Sequence, residues 1–380
     1  MRLALLLYKY FPYGGMQRDF LAFARELQQR GCTCRVYYIS WQGEPLPGAD
    51  LRRVPVTALS NFRRDQRFLR WVQADIAADP VDGVIGFNKM PGLDVYFAAD
   101  PCFLDKALKR SWWYRRTARF RHFAAWERVV FDPRGSTRIL TISQQQQEKF
   151  QHHYQTPPSR MYLLPPGVSP QRRAPEEAPS LRRSKREELG ILSQELVLLL
   201  VGSGFVTKGL DRAIRCVANV RAQQPSVKLR LLVVGQDKPR RFRQLCKRQG
   251  VADAVFFLGG RDDVSELMLA ADVLVHPARS EAAGVVLLEA LVAGLPVVVT
   301  DVCGYAEHVK AARGGLVLPS PFNQEELDRA VMRNIDGVFR FDCRESALLY
   351  AHLTDLYSMH SSGADLMVEF IRQKRERARG

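Results

Sequence analysis

The chain has 380 residues, of which 46% are hydrophobic and 10% aromatic, and this composition excludes an intrinsically disordered protein. Its formal net charge of +16 indicates a negatively charged partner, such as nucleic acid, an anionic lipid surface or a phosphorylated substrate. Its seven cysteines are scattered without a C-x-x-C pair, so we expect reduced thiols rather than a zinc site or a disulfide framework.

Short apolar runs alternate with amphipathic stretches in the first half of the chain, which is the pattern of a parallel sheet covered by helices. The predicted strands are Leu3–Tyr8, Arg35–Ile39, Val84–Phe87 and Ile139–Ile142, and the predicted helices are Gln17–Arg30 and Gln144–His153. The N-terminal apolar run lacks the features of a signal peptide, and no run reaches the about 20 apolar residues of a spanning helix. The chain is therefore predicted to be neither exported nor membrane-spanning.

The segment between the first strand and the first helix contains two adjacent glycines, Gly14 and Gly15, in the string KYFPYGGMQRDF. At a helix N-terminus such glycines let backbone N–H groups approach an anionic or sugar ligand closely. Asp19 would then lie about one turn into the helix. A tight strand-to-helix turn with a surface aspartate explains the same segment equally well.

Residues 103–132 form a basic–aromatic segment. Seven basic residues and no acidic one occur between positions 106 and 121, interleaved with tryptophan, tyrosine and phenylalanine. Trp and Tyr favour lipid headgroups, and each Lys or Arg adds about 1 kcal/mol near an anionic leaflet. The alternative is an aromatic stripe that faces the core, because Phe123, Trp126 and Val130 have helical spacing. We predict a buried far end and an exposed membrane-binding part formed by Lys109, Arg110, Trp112, Trp113, Tyr114, Arg115, Arg116 and Arg119.

A Pro-rich, charged stretch, Leu163–Gly190, is predicted to be a linker followed by a surface helix. Strands then resume at Leu196–Val201, Leu229–Val234, Val255–Leu258, Val273–His276, Pro296–Thr300 and Leu316–Leu318. This alternation predicts two doubly wound α/β domains, residues 1–168 and 169–350, with ligands at strand carboxyl ends in a cleft between them. Residues 351–380 are predicted to be helical and to pack toward the first domain.

The stretch VGSGFVTKGLDRAI follows the first strand of the second domain. It is neither a dinucleotide fingerprint, which would need glycine in place of Thr207, nor a phosphate-binding P-loop, which would need lysine after Gly209. A glycine-rich backbone with one cation, Lys208, at a strand's carboxyl end suits a departing diphosphate. A solvated loop lysine is the alternative.

The most specific stretch is HPARSEAAGVVLLEALVAGLPVVVTD, residues 276–301. Glu281 and Glu289 are eight positions apart, with small residues between them that would open a helix toward a phosphate. A carboxylate before that helix can accept hydrogen bonds from sugar hydroxyls, and one inside it can bind a ribose diol. An amphipathic helix with two solvated glutamates is less natural, because apolar residues surround Glu289.

The string SEAAGVVLLEALVAGLPVV resembles the E-x7-E signature of the retaining GT-B glycosyltransferases. Within that group, LYKYFPYGGMQRDF, GFNKMPGLDVYFAAD, GRDDVSELM and HPARSEAAGVVLLEA resemble the lipopolysaccharide core glucosyltransferases. The resemblance extends from the first residue to about residue 330. It implies a GT-B fold of two Rossmann-like domains facing across a cleft, a UDP-sugar donor (usually UDP-glucose), and the heptose of the lipopolysaccharide inner core as acceptor.

The resemblance also implies roles for residues of the second domain. Glu289 would bind the ribose hydroxyls of UDP, and Glu281 would bind the hexose hydroxyls. Lys208, with the backbone at Ala283 and Gly284, would contact the diphosphate. Charge that builds on the leaving phosphate would then be stabilised electrostatically.

In the first domain, the resemblance implies that Gly15 lies against the donor phosphate and that Asp19 and Asp100 act in catalysis or acceptor binding. Thr207 replaces an arginine usual in the family, so one diphosphate cation is missing; Arg261 or Arg212 are candidates to replace it. We expect no metal and no tightly bound cofactor. The expected location is the cytoplasmic face of the inner membrane, on anionic lipid and without nucleic acid.

Two alternatives remain at this stage. The same chemistry with UDP-galactose or a UDP-hexosamine would need few changes around Glu281. A basic nucleic-acid-binding protein without turnover would explain the charge but would leave the two glutamates and the glycine-rich turns without a role.

Overall fold

A computed structural model of the chain describes residues 1–12 and 14–379, the last two of them by backbone only. It divides the chain into two compact units, Met1–Pro166 with Ser358–Gly380, and Gly167–Tyr357. Each unit is built on a parallel sheet whose strands are connected through helices, so the predicted α/β fold class is confirmed. Among the described helices, none combines the length and apolar content that crossing a bilayer requires.

The first unit contains a seven-stranded parallel sheet in the order β5-β3-β1-β6-β7-β8-β9, with β2 and β4 paired separately. Its strands are β1 Arg2–Leu6, β2 Lys9–Tyr10, β3 Thr33–Tyr38, β4 Ser40–Trp41, β5 Asp50–Arg53, β6 Gly83–Gly86, β7 Val95–Ala98, β8 Arg138–Thr141 and β9 Met161–Leu163. Its first helices are α1 Gly15–Gln29, α2 Asn61–Ala78, α3 Phe103–Leu108, α4 Trp112–Arg115, α5 Ala118–Phe131 and α6 Gln144–Tyr154.

The second unit contains a six-stranded parallel sheet in the order β12-β11-β10-β13-β14-β15. The strands are β10 Leu196–Val201, β11 Leu229–Val234, β12 Val255–Gly259, β13 Val273–His276, β14 Val297–Thr300 and β15 Gly315–Leu318. The helices are α7 Ala178–Glu188, α8 Leu210–Gln223, α9 Arg240–Arg248, α10 Val264–Ala270, α11 Val285–Val292, α12 Ala306–Ala311, α13 Gln324–Arg333 and α14 Gly337–Leu353. Its central strands are continuous apolar runs, as expected where helices cover both faces of a parallel sheet.

The helix predicted after the linker is α7, and most of its residues are exposed, but its charged run also supplies the buried face. Lys185 and Arg186 are buried there. Lys185 Nζ lies 2.9 Å from the Asp263 carboxylate, and Arg186 donates to the carbonyl of Ala270 at 3.0 Å. The charged run that suggested a solvated helix therefore attaches α7 to α10.

The chain ends with α15, Met359–Arg379, which packs against α1 within the first unit. Gly363 lies so close to the ring of Phe23 that no Cβ would fit, and Arg30 donates to Asp365 at 2.7 Å. The last helix therefore contacts the middle and the C-terminal end of α1.

Candidate functional site

Two loops with predicted ligand-binding residues follow adjacent strands of the second sheet. β10 and β13 are paired in the middle of the sheet, at the point where the strand order changes direction. Ligands of doubly wound sheets bind at such a switch point, outside the carboxyl ends of the strands. Lys208 follows β10 and Glu281 follows β13, so the fold brings both to that edge.

Three ionisable side chains converge at the end of β13. Lys208 Nζ contacts Glu281 Oε2, and the two side chains are only 19% and 17% exposed. His276 is fully buried, and its Nε2 lies 3.5 Å from the same Glu281 oxygen. Burial, and then the charge of Lys208, lower the pKa of His276 to about 3, so its ring is neutral at physiological pH.

The loop that carries Lys208 is attached to the loop that carries Glu281. Arg279 N donates to the Thr207 carbonyl at 2.7 Å, and the Arg279 guanidinium donates to both oxygens of Asp211 at 2.8 and 2.9 Å. Gly209 has φ +74° and lies against Pro277, where an added Cβ would be 2.8 Å from the carbonyl carbon. The two loops therefore form one structural element.

Helix α11 begins later than the sequence predicted. Gly284, with φ +90°, is the N-cap, and the helix starts at Val285 rather than at the preceding alanines. Ala283 lies in the turn before it and accepts a hydrogen bond from Tyr305 N at 2.8 Å. This turn places a helix N-terminus directly beside the Glu281 loop.

Glu289 lies just over one turn into α11. It is 6% exposed, and Arg172 Nε is 3.6 Å from its Oε1. Six of the eight residues of α11 are buried, so the alternative of a solvated glutamate on an amphipathic helix is wrong. A buried carboxylate in this position requires polar partners, and a ribose diol is one suitable partner.

The two arginines considered as replacements for the missing cation both have protein partners. Arg261 donates to Asp263 at 2.7 Å, in an ion-pair cluster after β12. Arg212 donates to the carbonyls of Pro277 and Ala278 at 3.0 and 3.2 Å, behind the Glu281 loop. A diphosphate contact by Arg261 stays a prediction, and it would require exchange of Asp263 for phosphate.

In the first unit, α1 begins at Gly15, two residues before the predicted start at Gln17, and Gly14 is its N-cap. The preceding Tyr13 lies outside the described residues. Asp19 Oδ1 is within hydrogen-bond distance of His360 Nε2, at 3.0 Å, and the His360 ring packs edge-on against Phe23. The partner of Asp19 therefore comes from α15.

Asp100 is exposed after β7, and a buried network fixes the residues that follow it. Glu127 on α5 is fully buried and accepts hydrogen bonds from Phe103 N at 2.7 Å, Leu104 N at 2.9 Å and Lys89 Nζ at 2.6 Å. Burial alone would raise the pKa of Glu127, but Lys89 and the hydrogen bonds bring it below its ordinary value. Glu127 thereby fixes the start of α3 and the loop that carries Asp100.

All seven cysteines are buried and free, and burial raises the pKa of Cys303 to about 12. Within the described part of the chain, no group of three or more His, Cys, Asp and Glu side chains is arranged to hold a metal ion.

Comparison with known proteins assigns the chain to a family. The model for glycosyl transferases group 1 matches residues 182–338, and the model for glycosyltransferase family 4 matches residues 13–172. The lipopolysaccharide glucosyltransferase WaaG of Escherichia coli (strain K12) is 46% identical over 369 residues, which span 97% of this chain and 98% of that protein. The chain belongs to the WaaG family of glycosyltransferases.

Solved structures agree with this assignment. A crystal structure of WaaG matches with a TM-score of 0.92 at 46% identity, covering 96% of this chain and 99% of that one. Sucrose-phosphate synthase from Thermosynechococcus elongatus matches at 0.78 with 19% identity, covering 99% of both chains. Anabaena Alr3699/HepE in complex with UDP-glucose matches at 0.75 with 17% identity, covering 97% and 99%. The last two show the fold alone, and together the matches confirm the predicted GT-B fold class.

Membership of the WaaG family makes the chain an enzyme, so the alternative of a nucleic-acid-binding protein without turnover is wrong.

In this member of the WaaG family, the basic–aromatic segment folds as α3, α4 and α5. Trp112 and Trp113 are 51% and 62% exposed and stack with ring centroids 3.7 Å apart, and the Arg116 guanidinium lies 4.4 Å from the Trp112 ring. Tyr114 is half-buried, 4.2 Å beneath the Arg110 guanidinium. The remaining predicted lipid contacts are exposed: Lys109, Arg110, Arg115, Arg116 and Arg119. The far end of α5 is buried from Val130, as predicted for that part of the segment. Lipid binding by the exposed part stays a prediction.

Four residues with a place in these sites were not singled out from the sequence: Arg172, His276, His360 and Glu127. Arg172 and His360 contact candidate residues that are distant in the chain. His276 lies beside Glu281, which is close to it in sequence, and Glu127 fixes the loop that carries Asp100. Only His276 carried a local signal, since a histidine ends an otherwise apolar strand immediately before the Glu281 loop.

Proposed function

We propose that the chain transfers glucose from UDP-glucose to the heptose of the lipopolysaccharide inner core with retention of configuration. The observation that carries this proposal is the contact of Lys208 with Glu281 at the switch point of the second sheet, beside the start of α11. The 46% identity to a lipopolysaccharide glucosyltransferase over nearly the whole of both chains supports the sugar and the acceptor.

In this proposal the donor binds along the second unit. Glu289, buried in α11, binds the ribose hydroxyls, and Glu281 binds the hexose hydroxyls. Lys208 and the backbone at Ala283 and Gly284 bind the diphosphate, where the helix N-terminus also favours negative charge. Arg261 is a further candidate for the diphosphate.

Catalysis in this proposal is electrostatic. The bond between the anomeric carbon and UDP breaks, and the negative charge on the leaving phosphate is stabilised by Lys208 and the start of α11. The acceptor hydroxyl attacks the same face of the sugar, without a covalent intermediate. Gly15 contributes to phosphate binding, and Asp19 and Asp100 bind or orient the acceptor. The proposal requires neither a metal ion nor a tightly bound cofactor.

Transfer of labelled glucose from UDP-glucose to purified lipopolysaccharide that ends at the inner-core heptose tests this function. We expect Glu281→Ala to lower the transfer rate by about a hundredfold or more while UDP still binds, because the hexose contacts are lost. Glu325→Ala, the same substitution at an 80% exposed glutamate of the second unit, is the control and should transfer normally. Faster transfer from UDP-galactose or a UDP-hexosamine would reject glucose as the donor sugar.

We further propose that the exposed part of the basic–aromatic segment binds the anionic inner face of the inner membrane, so that the enzyme works there from the cytoplasm. Exposed tryptophans beside arginines and lysines suit a headgroup region. Replacing Trp112, Trp113, Arg115 and Arg116 with alanine should release the chain from phosphatidylglycerol vesicles and leave transfer to a soluble acceptor intact. Removing equal charge from α9, at Arg240 and Lys247, should leave vesicle binding unchanged; equal release by both sets would contradict the proposal.

A further inference from the structure

His276 is buried in an unusual state. It pairs with Val299 in the register of β13 and β14, and it is 0% exposed. Neither Nδ1 nor Nε2 has a hydrogen-bond partner among the described residues. A buried polar group without a partner destabilises the folded state, so an apolar residue would be preferred here if folding were the only requirement.

The nearest polar atom identifies what this imidazole can do. His276 Nε2 lies 3.5 Å from Glu281 Oε2, just beyond an ordinary hydrogen bond. The Lys208 ammonium contacts this same oxygen. Lys208 and His276 therefore approach one carboxylate oxygen from two directions, and in the structure Lys208 makes the direct contact.

The proposed function requires Lys208 to contact the donor diphosphate, whereas Glu281 must contact the hexose. When the ammonium turns to phosphate, Glu281 Oε2 loses its strongest partner inside a site that is largely buried. A carboxylate without a partner there would be costly and poorly oriented.

We propose that His276 replaces Lys208 as the hydrogen-bond donor to Glu281 Oε2 when the donor sugar binds, and that it thereby positions Glu281 against the hexose. This inference rests on the proposed function, and it makes His276 a positioning residue that acts through Glu281. A shift of a few tenths of an ångström would convert the 3.5 Å separation into a normal hydrogen bond.

Neutrality suits the imidazole to this role. Burial and the nearby ammonium keep the ring uncharged, so it offers one N–H and one acceptor nitrogen. A cation at this position would compete with Lys208 for Glu281 and would repel it. A neutral imidazole can lie beside the ion pair without disturbing it, and can donate to the Glu281 carboxylate once the Lys208 ammonium has moved to the phosphate.

The test compares UDP with UDP-glucose, because UDP lacks the hexose that Glu281 contacts. His276→Leu removes the donor at similar volume, and His276→Gln restores an N–H near the position of Nε2. We expect His276→Leu to weaken UDP-glucose binding about tenfold or more relative to UDP and to lower kcat, while its affinity for UDP stays within about twofold. His276→Gln should recover most of both losses. His308→Leu, at a half-buried histidine of the same unit that is bonded to Tyr350, is the control for structural damage.

This inference is overturned if His276→Leu keeps the wild-type ratio of UDP-glucose affinity to UDP affinity. It is also overturned if His276→Leu weakens the binding of both ligands equally and His276→Gln restores neither affinity. Either outcome leaves the proposed function intact as long as the wild-type chain transfers glucose. A wild-type chain that binds no UDP-sugar overturns the proposed function itself, and this inference with it.

Discussion

Replacing Gly209 with alanine should displace the loop that carries Lys208. Gly209 has φ +74°, a conformation that costs an L-residue about 1–2 kcal/mol. The new Cβ would also lie 2.8 Å from the Pro277 carbonyl carbon and closer still to its oxygen, so the two loops must separate. Such overpacking costs a further 1–3 kcal/mol, roughly. We therefore expect Gly209→Ala to lower the free energy of unfolding by about 2–5 kcal/mol.

Gly250→Ala is the matched comparison. Gly250 lies in the same unit with φ +66°, and an added Cβ would meet nothing within 4 Å. It should therefore show only the conformational cost, about 1–2 kcal/mol. Each kcal/mol lost from the free energy of unfolding lowers the melting temperature of a unit of this size by about 2–4 °C. Calorimetry or circular dichroism can therefore distinguish the two variants.

Transfer kinetics complete the test, at a temperature where both variants are folded. Because Lys208 is the next residue, we expect Gly209→Ala to lower kcat by about ten- to a hundredfold, and Gly250→Ala to retain wild-type kcat. If the two variants melt together and transfer glucose at equal rates, the Gly209 loop does not rest on Pro277 in solution, and the account of how the site is held together is wrong.

Three further predictions concern charged groups. Lys208→Met and Glu281→Gln should each lower the free energy of unfolding by about 1–3 kcal/mol, as measured by denaturant unfolding. The double variant should lose less stability than the sum of the two single losses. Glu127→Gln should lower the free energy of unfolding by about 3 kcal/mol, and adding Lys89→Met should restore part of it; additive losses would contradict the pairing. Since burial lowers the pKa of His276 to about 3, the unfolded chain takes up a proton below about pH 6.5 before the native one does. On acidification from about pH 6.5 toward 3, the free energy of unfolding of wild type should thus fall by roughly 1.4 kcal/mol more per pH unit than that of His276→Leu. Parallel plots of unfolding free energy against pH for the two proteins would reject this.

Continuous apolar runs made the buried strands of the second unit predictable. Leu196–Val201, Leu229–Val234 and Val273–His276 have the predicted bounds, because a strand covered on both faces requires apolar residues throughout. The strand β5, Asp50–Arg53, was missed because its sequence, DLRR, is largely charged and its residues are exposed or half-buried. It joins the sheet through backbone hydrogen bonds to β3, which leave no periodic trace in the side chains.

The candidate site was predictable where its residues are close in sequence. Glu281 and Glu289 lie eight positions apart, and this spacing, the small residues between them and the family resemblance together predicted one site. The partners of these residues could not be inferred in the same way. His360, for example, lies 341 positions from Asp19 and reaches it only because α15 packs on α1. Contacts of this kind arise from tertiary packing, which no local pattern encodes.

The buried Glu127 carboxylate makes the position of the Asp100 loop independent of the composition of the outer face of α4. Glu127 accepts hydrogen bonds from the first backbone N–H groups of α3 and so holds this helix from the interior. The side chains on the outer face of α4 are not needed for this contact. Substitution of the exposed tryptophans and arginines, to which we assign lipid binding only as a proposal, should therefore leave the neighbouring loop in place. The outer face of α4 can thus vary independently of the loop that carries Asp100.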